Sequence, residues 1–155
     1  MTRIDFYQVD STESALLFTC RLIDKIYHAG HKIHVHTSGT DQSSELDTLI
    51  WAFRDNRFIP HACYDLDGKV DTSVAVQISH SHEPELHRDI LVNLSGKVPD
   101  FFSRFERVTE VVPLDENSRT AARNNYKFYQ DRGYPLAYHD LSKKNANKNG
   151  VKSKK

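Results

Sequence analysis

This sequence is poor in the signals that announce chemistry. It has two cysteines, Cys20 and Cys63, and no Cys-x-x-Cys spacing. That is too few for the disulfide scaffold of a small secreted domain, so a reduced, cytosolic setting is expected, with both thiols acting as small buried apolar side chains. No apolar run approaches the ~20 residues of a membrane span, and Met1 to Asp10 lacks the charged-then-apolar layout of a signal peptide. The expectation is a soluble, cytoplasmic protein. Glycine is scarce where nucleotide chemistry would need it. The loop after the first apolar strand reads Gln8-Val9-Asp10-Ser11-Thr12-Glu13, with two carboxylates and no glycine to let backbone approach a pyrophosphate. There is no Gly-x-x-x-x-Gly-Lys-Ser/Thr loop and no Gly-x-Ser-x-Gly elbow. Nothing pairs a nucleophile with its base, and no enzyme activity, metal or cofactor is expected.

Net charge is absent too, but only as a total. Acidic and basic residues balance at 21 each. Lys143 to Lys155 holds six lysines and no acid, leaving 15 basic against 21 acidic side chains in the preceding 142 residues, a net charge of −6. Such a body cannot offer the broad cationic surface that nonspecific nucleic-acid binding requires, so any basic site must be local. The tail's lysine and asparagine composition cannot bury enough apolar surface to order itself. The expected organisation is one α/β domain over residues 1–142 and a disordered tail over 143–155.

What is present is a pattern of alternating strands and helices. Arg3 to Val9 reads as a strand. Ser14 to Ala29 has apolar residues at helical spacing, closed by Gly30, and Ile33 to Thr37 is a second strand. Ser38-Gly39-Thr40-Asp41 leads into a second helix with Leu46, Leu49, Ile50 and Phe53 on its apolar side. This order signals right-handed βαβ units and a mostly parallel central sheet flanked by helices. Phe58-Ile59-Pro60-His61-Ala62, interrupted by proline, is expected at a sheet edge or in a loop, and Asp65 to Asp71 in a turn. Val74 to Ile78, Ile90 to Leu94 and Arg107 to Val112 read as strands, with a short helix over Pro99 to Phe105 between the last two.

The closing helix, Asn117 to Tyr134, is the most distinctive stretch. Arg119, Arg123 and Lys127 recur every four residues and fall within roughly 80° of one another, with Tyr126 and Gln130 in the same sector. Ala121, Ala122, Phe128 and Tyr129 supply the core contact from another sector. A stripe of three cations, an aromatic and an amide is suited to an anion. Two other features compete for a function. Ser38 to Asp41 could hold a phosphate on free amides at a helix start, although capping alone accounts for such a turn. Among nine histidines, His34 and His36 share one strand face and His80-Ser81-His82 repeats the spacing; packed or surface histidines are favoured over zinc because no carboxylate or cysteine ligand motif accompanies them. Glu83, Glu85, His87 and Asp89 form a polar loop.

Several stretches together resemble one family. They are Ile4-Asp5-Phe6-Tyr7, Leu46-Asp47-Thr48-Leu49-Ile50-Trp51-Ala52-Phe53, Phe58-Ile59-Pro60-His61, Arg88-Asp89-Ile90-Leu91-Val92-Asn93-Leu94, and Ala122 to Tyr129 followed by Gly133-Tyr134. In order and spacing, to about Tyr138, they are similar to the chi subunit family of bacterial DNA polymerase III holoenzyme. That resemblance implies a Rossmann-like three-layer sandwich, no catalytic activity of its own, and an accessory role at the clamp loader in DNA replication and repair. It implies two partners: the acidic C-terminal tail of single-stranded DNA-binding protein, and a psi subunit. It assigns Arg123, Tyr126 and Lys127, with Arg119 on the same stripe, to the acidic tail. It assigns Trp51, Phe58 and Ile59 to the psi-type partner, a surface for which a helicase would compete. DNA is contacted only indirectly. The alternatives are a small nucleotide-binding enzyme using Ser38 to Asp41, and a nucleic-acid-binding protein acting through the lysine tail, which is no feature of the family.

Overall fold

The computed structural model describes residues 1–10, 14–53, 59–64, 73–81, 84 and 89–141. Seven strands form one sheet: β1 (Arg3–Gln8), β2 (Ile33–His36), β3 (His61–Cys63), β4 (Val76–Ser79), β5 (Ile90–Asn93), β6 (Arg107–Val112) and β7 (Leu136–Asp140). Their spatial order is β3-β4-β2-β5-β6-β1-β7, and every neighbouring pair is parallel. Three helices flank it: α1 (Ala15–His28), α2 (Thr40–Ala52) and α3 (Glu116–Asp131). The α/β three-layer sandwich expected from the strand-helix rhythm is the observed architecture.

The two cores follow from strand alternation, since successive side chains point to opposite faces. Ile33, Val35, Ile90 and Val92 face α1 and α2, meeting Ile23, Leu46 and Ile50. Ile4, Phe6, Leu91 and Val108 face the other way, meeting Ala122 and Tyr129 of α3 and the phenylalanines of a 3-10 turn at Phe102–Arg104. The expected short helix over Pro99 to Phe105 is thus a single turn, but it buries Phe101, Phe102 and Phe105 as its composition requires.

Helix ends obey local chemistry. The Ser14 hydroxyl accepts from the Leu17 amide at 3.1 Å, and the Asp115 carboxylate from the Ser118 amide at 2.9 Å, each capping a helix start. At the far end of α3, Gly133 takes φ +80°, so that its amide reaches the Gln130 carbonyl and the Tyr134 amide reaches Tyr129. That left-handed turn satisfies the last carbonyls and reverses the chain.

The reversal delivers β7, which the sequence reading did not anticipate. Its five residues lie on the sheet edge and pair with β1 alone, and the segment runs straight into the lysine tail, so no buried alternation marks it. At the opposite edge, the proline-interrupted segment becomes β3, as expected of an edge. Phe58, His82, Glu83, Glu85, His87, the Asp65 to Asp71 turn and the tail lie outside the described residues. Among those described, no helix is long and apolar enough to cross a membrane.

Candidate functional site

The cationic stripe of α3 becomes one wall of a groove of about 490 Å³. Arg119, Arg123, Lys127, Tyr126 and Gln130 come from the helix, Gln8 from β1, and Tyr138 and Asp140 from β7. Register explains the pairing across the sheet: Phe6 lies beside Tyr138 and Gln8 beside Asp140. The Tyr138 ring stacks on Phe6 at 5.6 Å between centroids and 13° between planes, and Tyr126 leans on the same Phe6 ring at 5.5 Å. Tyr126 and Tyr138 make an aromatic floor, with the Phe6 ring fully buried beneath them. Tyr126 is therefore not a purely outward residue of the stripe, as helical phase alone implied, but half core and half floor.

The polar groups around the floor are tied. The Gln8 amide nitrogen donates to the carbonyls of Val112 and Pro113, each at 3.2 Å, which leaves its oxygen to accept from the Tyr138 hydroxyl at 3.3 Å. Burial and then the Asp140 charge raise the Tyr138 phenol above its usual range, while Arg119 and Arg123 pull the other way. Both guanidinium groups thus act on the floor electrostatically.

The cations themselves are held loosely. Arg123 Nη2 is 3.9 Å from Glu116 and Lys127 Nζ 3.7 Å from Asp131, and all four side chains are more than half exposed. Ion pairs of that exposure contribute ~0–1 kcal/mol in general. An incoming carboxylate can displace them at little cost.

The helix that carries these cations is anchored by a buried polar network. The Tyr129 hydroxyl donates to Glu110 Oε2 at 2.7 Å, and Asn93 Nδ2 donates to both Glu110 oxygens at 3.0 and 2.9 Å. Burial pushes the Glu110 carboxyl up to about 7, against the two hydrogen bonds that favour its charged form. A second tie, from Asn125 Nδ2 to the Gly96 carbonyl at 3.0 Å, fixes the middle of α3 to the loop after β5.

At the other edge, Trp51 near the end of α2 is 61% exposed. Its ring lies 4.8 Å from that of His61, the first residue of β3. Ile59 departs from expectation. It is 2% exposed and belongs to the core cluster that also holds Ile50, so it lies beneath this surface and not on it. Two residues on, across Pro60, the His61 ring lies against the indole. Phe58, expected beside Trp51, is outside the described residues.

The remaining candidates resolve differently. In the Ser38 to Asp41 loop, the Ser38 amide already donates to Gln42 Oε1 at 2.8 Å, and the hydroxyls of Thr37 and Ser43 meet at 2.6 Å, so the loop closes on its own side chains. His34 and His36 pack edge-on against Phe101, at 5.7 and 5.4 Å. No group of three metal-ligating side chains occurs among the described residues. Cys20 and Cys63 are buried free thiols, and burial pushes Cys20 up to about 11, away from thiolate chemistry.

Gln8, Tyr138 and Asp140 escaped the sequence reading because no periodicity within one element connects them to α3. Only the parallel pairing of β7 with β1 does.

A family model described as DNA polymerase III chi subunit, HolC, matches residues 1–137. The chain is 37% identical to the DNA polymerase III subunit chi of Pseudomonas aeruginosa over 143 residues, covering 91% of this chain and 98% of that protein. It is 31% identical to the protein of the same name in Haemophilus influenzae over 120 residues, covering 76% and 81%. For the Escherichia coli protein of that name the identity is 27% over 130 residues, covering 83% and 86%.

Proposed function

The chain belongs to the chi subunit family of DNA polymerase III, and on that premise we propose that it is a replication adaptor whose α3/β7 groove binds an acidic peptide terminus. The peptide is the C-terminal tail of single-stranded DNA-binding protein, and a psi-type subunit at the Trp51 surface connects the adaptor to the clamp loader. The family is one of accessory subunits, and binding is its task.

One observation carries this reading: three exposed cations, two of them in loose ion pairs, border an aromatic floor within a single groove. Arg123, with Arg119 and Lys127 beside it, takes the peptide's carboxylates by charge-assisted hydrogen bonds, and the fork of Arg123 suits a terminal carboxylate best. The terminal apolar side chain lies on Tyr126 and Tyr138, where burying one phenyl ring supplies about 1.5–3 kcal/mol. Asp140 on the opposite wall repels carboxylates and so holds the acidic stretch to the helix side. Such a site gives modest, salt-sensitive affinity.

The two surfaces lie at opposite sheet edges, β7 and β3, six strand spacings or about 29 Å apart. Both partners can therefore bind at once, and two weak contacts on one scaffold raise local concentration without new bonds.

The test is calorimetry with an acidic peptide ending in a phenylalanine carboxylate. Wild type binds, Arg123→Glu does not, and amidating the peptide's C-terminus weakens binding. Equal affinity of wild type and Arg123→Glu would remove the groove assignment.

A further inference from the structure

A buried amide decides how the tyrosine on the β7 wall of the groove can bond. Gln8 ends β1 and is 3% exposed. Its Nε2 lies 3.3 Å from the Val9 carbonyl and 3.2 Å from each of the Val112 and Pro113 carbonyls. A carbonyl oxygen only accepts, so the end of the amide that faces these three is the NH2 group. The flipped amide would set an oxygen against three oxygens in a place closed to water, leaving buried acceptors without a donor. Gln8 Oε1 is thereby fixed on the other side, where the Tyr138 hydroxyl lies 3.3 Å away. An amide oxygen cannot donate, so the hydroxyl gives its one hydrogen to Gln8. What the Tyr138 oxygen keeps for the groove is its lone pairs.

We propose that Gln8 is a positioning residue of the groove and Tyr138 a specificity-determining one: held by Gln8, the Tyr138 hydroxyl meets a ligand only as an acceptor and reads the backbone N–H of the peptide's last residue, while Arg123 reads its carboxylate. The inference rests on the reading of the groove as an acidic-peptide site and adds which acidic ligand it takes. A C-terminal residue carries an N–H and a carboxylate on one Cα. The groove offers the complement, an oxygen acceptor on β7 and guanidinium donors on α3. An acidic side chain inside a longer chain holds its carboxylate on a separate arm from its N–H, and engages one of the two partners only. A carboxylate that strays to the β7 wall meets a second acceptor in Tyr138 and a negative charge in Asp140. A C-terminal proline, which has no N–H, is disfavoured for the opposite reason. A hydroxyl without such a partner rotates to donate or accept as the ligand demands, and Gln8 removes that choice.

Calorimetry on the full chain uses two probes: the acidic peptide ending in a phenylalanine carboxylate, and the same peptide with its last amide replaced by an ester, which deletes the N–H without adding bulk. Wild type binds the ester about fivefold more weakly, the loss of one hydrogen bond. In Tyr138→Phe, which keeps the ring and loses the hydroxyl, the amide peptide weakens by a similar factor and the ester costs less than about a further twofold. Gln8→Leu collapses the amide-to-ester ratio in the same way, since the hydroxyl is free to turn. An equal ester penalty in wild type and Tyr138→Phe overturns the hydroxyl as reader of the N–H, and a full wild-type ratio in Gln8→Leu overturns the positioning role. Should Gln8→Leu fail to fold, Tyr138→Phe, altered at an exposed side chain, decides alone. If wild type and Arg123→Glu bind the amide peptide alike, the groove reading falls and this inference with it. If binding depends on Arg123 but wild type takes amide and ester equally, this inference alone falls.

Discussion

At one edge of the sheet, β7 borders a groove whose charges stand in water above an aromatic floor; at the other, β3 buries an imidazole beneath an exposed aromatic. The groove keeps Arg123 and Lys127 loosely paired and ready to exchange partners, with Arg119 exposed beside them, and its aromatic part, Tyr126 and Tyr138, is braced on the buried Phe6 ring. The Trp51 surface inverts this, with its apolar group outermost and its polar side chains, Asp47 and His61, underneath. The first arrangement suits an anionic ligand that must bind and leave. The second suits a lasting apolar contact, because an aromatic anchor held in place contributes more than a mobile one.

The sharpest way to break this comparison is a crossed pair of substitutions. Arg123→Glu is expected to weaken the acidic peptide at least thirtyfold, about 2 kcal/mol, and leave the psi-type partner untouched; Trp51→Ala does the reverse. Calorimetry with both ligands checks it, and one substitution abolishing both would show a single coupled site or a damaged fold.

A second prediction concerns what holds the groove helix in place. Burial raises Glu110 from 4.5 to about 7, so the folded state favours the neutral acid. The stability this contributes is fully present below about pH 4.5 and is lost as pH rises through about 7. Glu110→Gln should remove that dependence. Urea unfolding is expected to show the variant gaining about 1–2 kcal/mol relative to wild type between pH 5 and pH 8. Parallel pH profiles for the two proteins would contradict it.

A third prediction sharpens the electrostatic contrast. Raising salt from 50 to 300 mM should weaken the peptide several-fold, and the partner at Trp51 much less, since the groove presents exposed cations and the other surface an indole. Equal salt slopes would mean that both contacts are charge-driven. The smallest effect is on stability. Trp51→Ala should change the unfolding free energy by less than about 1 kcal/mol, because so exposed an indole contributes little burial.

Much of this was legible in the sequence. Alternating apolar residues in Arg3 to Val9 and Arg107 to Val112 located strands, and Gly30 and Gly133 located helix ends, because these features depend on side chains a few residues apart. The stripe of Arg119, Arg123 and Lys127 was legible for the same reason. Ile59 was not: beside a proline in an edge segment, no period tells inward from outward, and tertiary packing into the core is what buries it. β7 was not either, since an edge strand paired on one side lacks the alternation that a buried strand must show.

The sequence by itself determined the layered α/β order, the helix limits and the cations of α3, all of which arise from local periodicity and capping. Tertiary structure decided what those cations face. Parallel pairing of β7 with β1 set Tyr138 beside Phe6 and Asp140 beside Gln8, making a stripe into a groove, and the approach of β3 to α2 put His61 under Trp51. Contacts between residues so far apart in the chain depend on strand register and edge position, and no stretch of neighbouring residues encodes them.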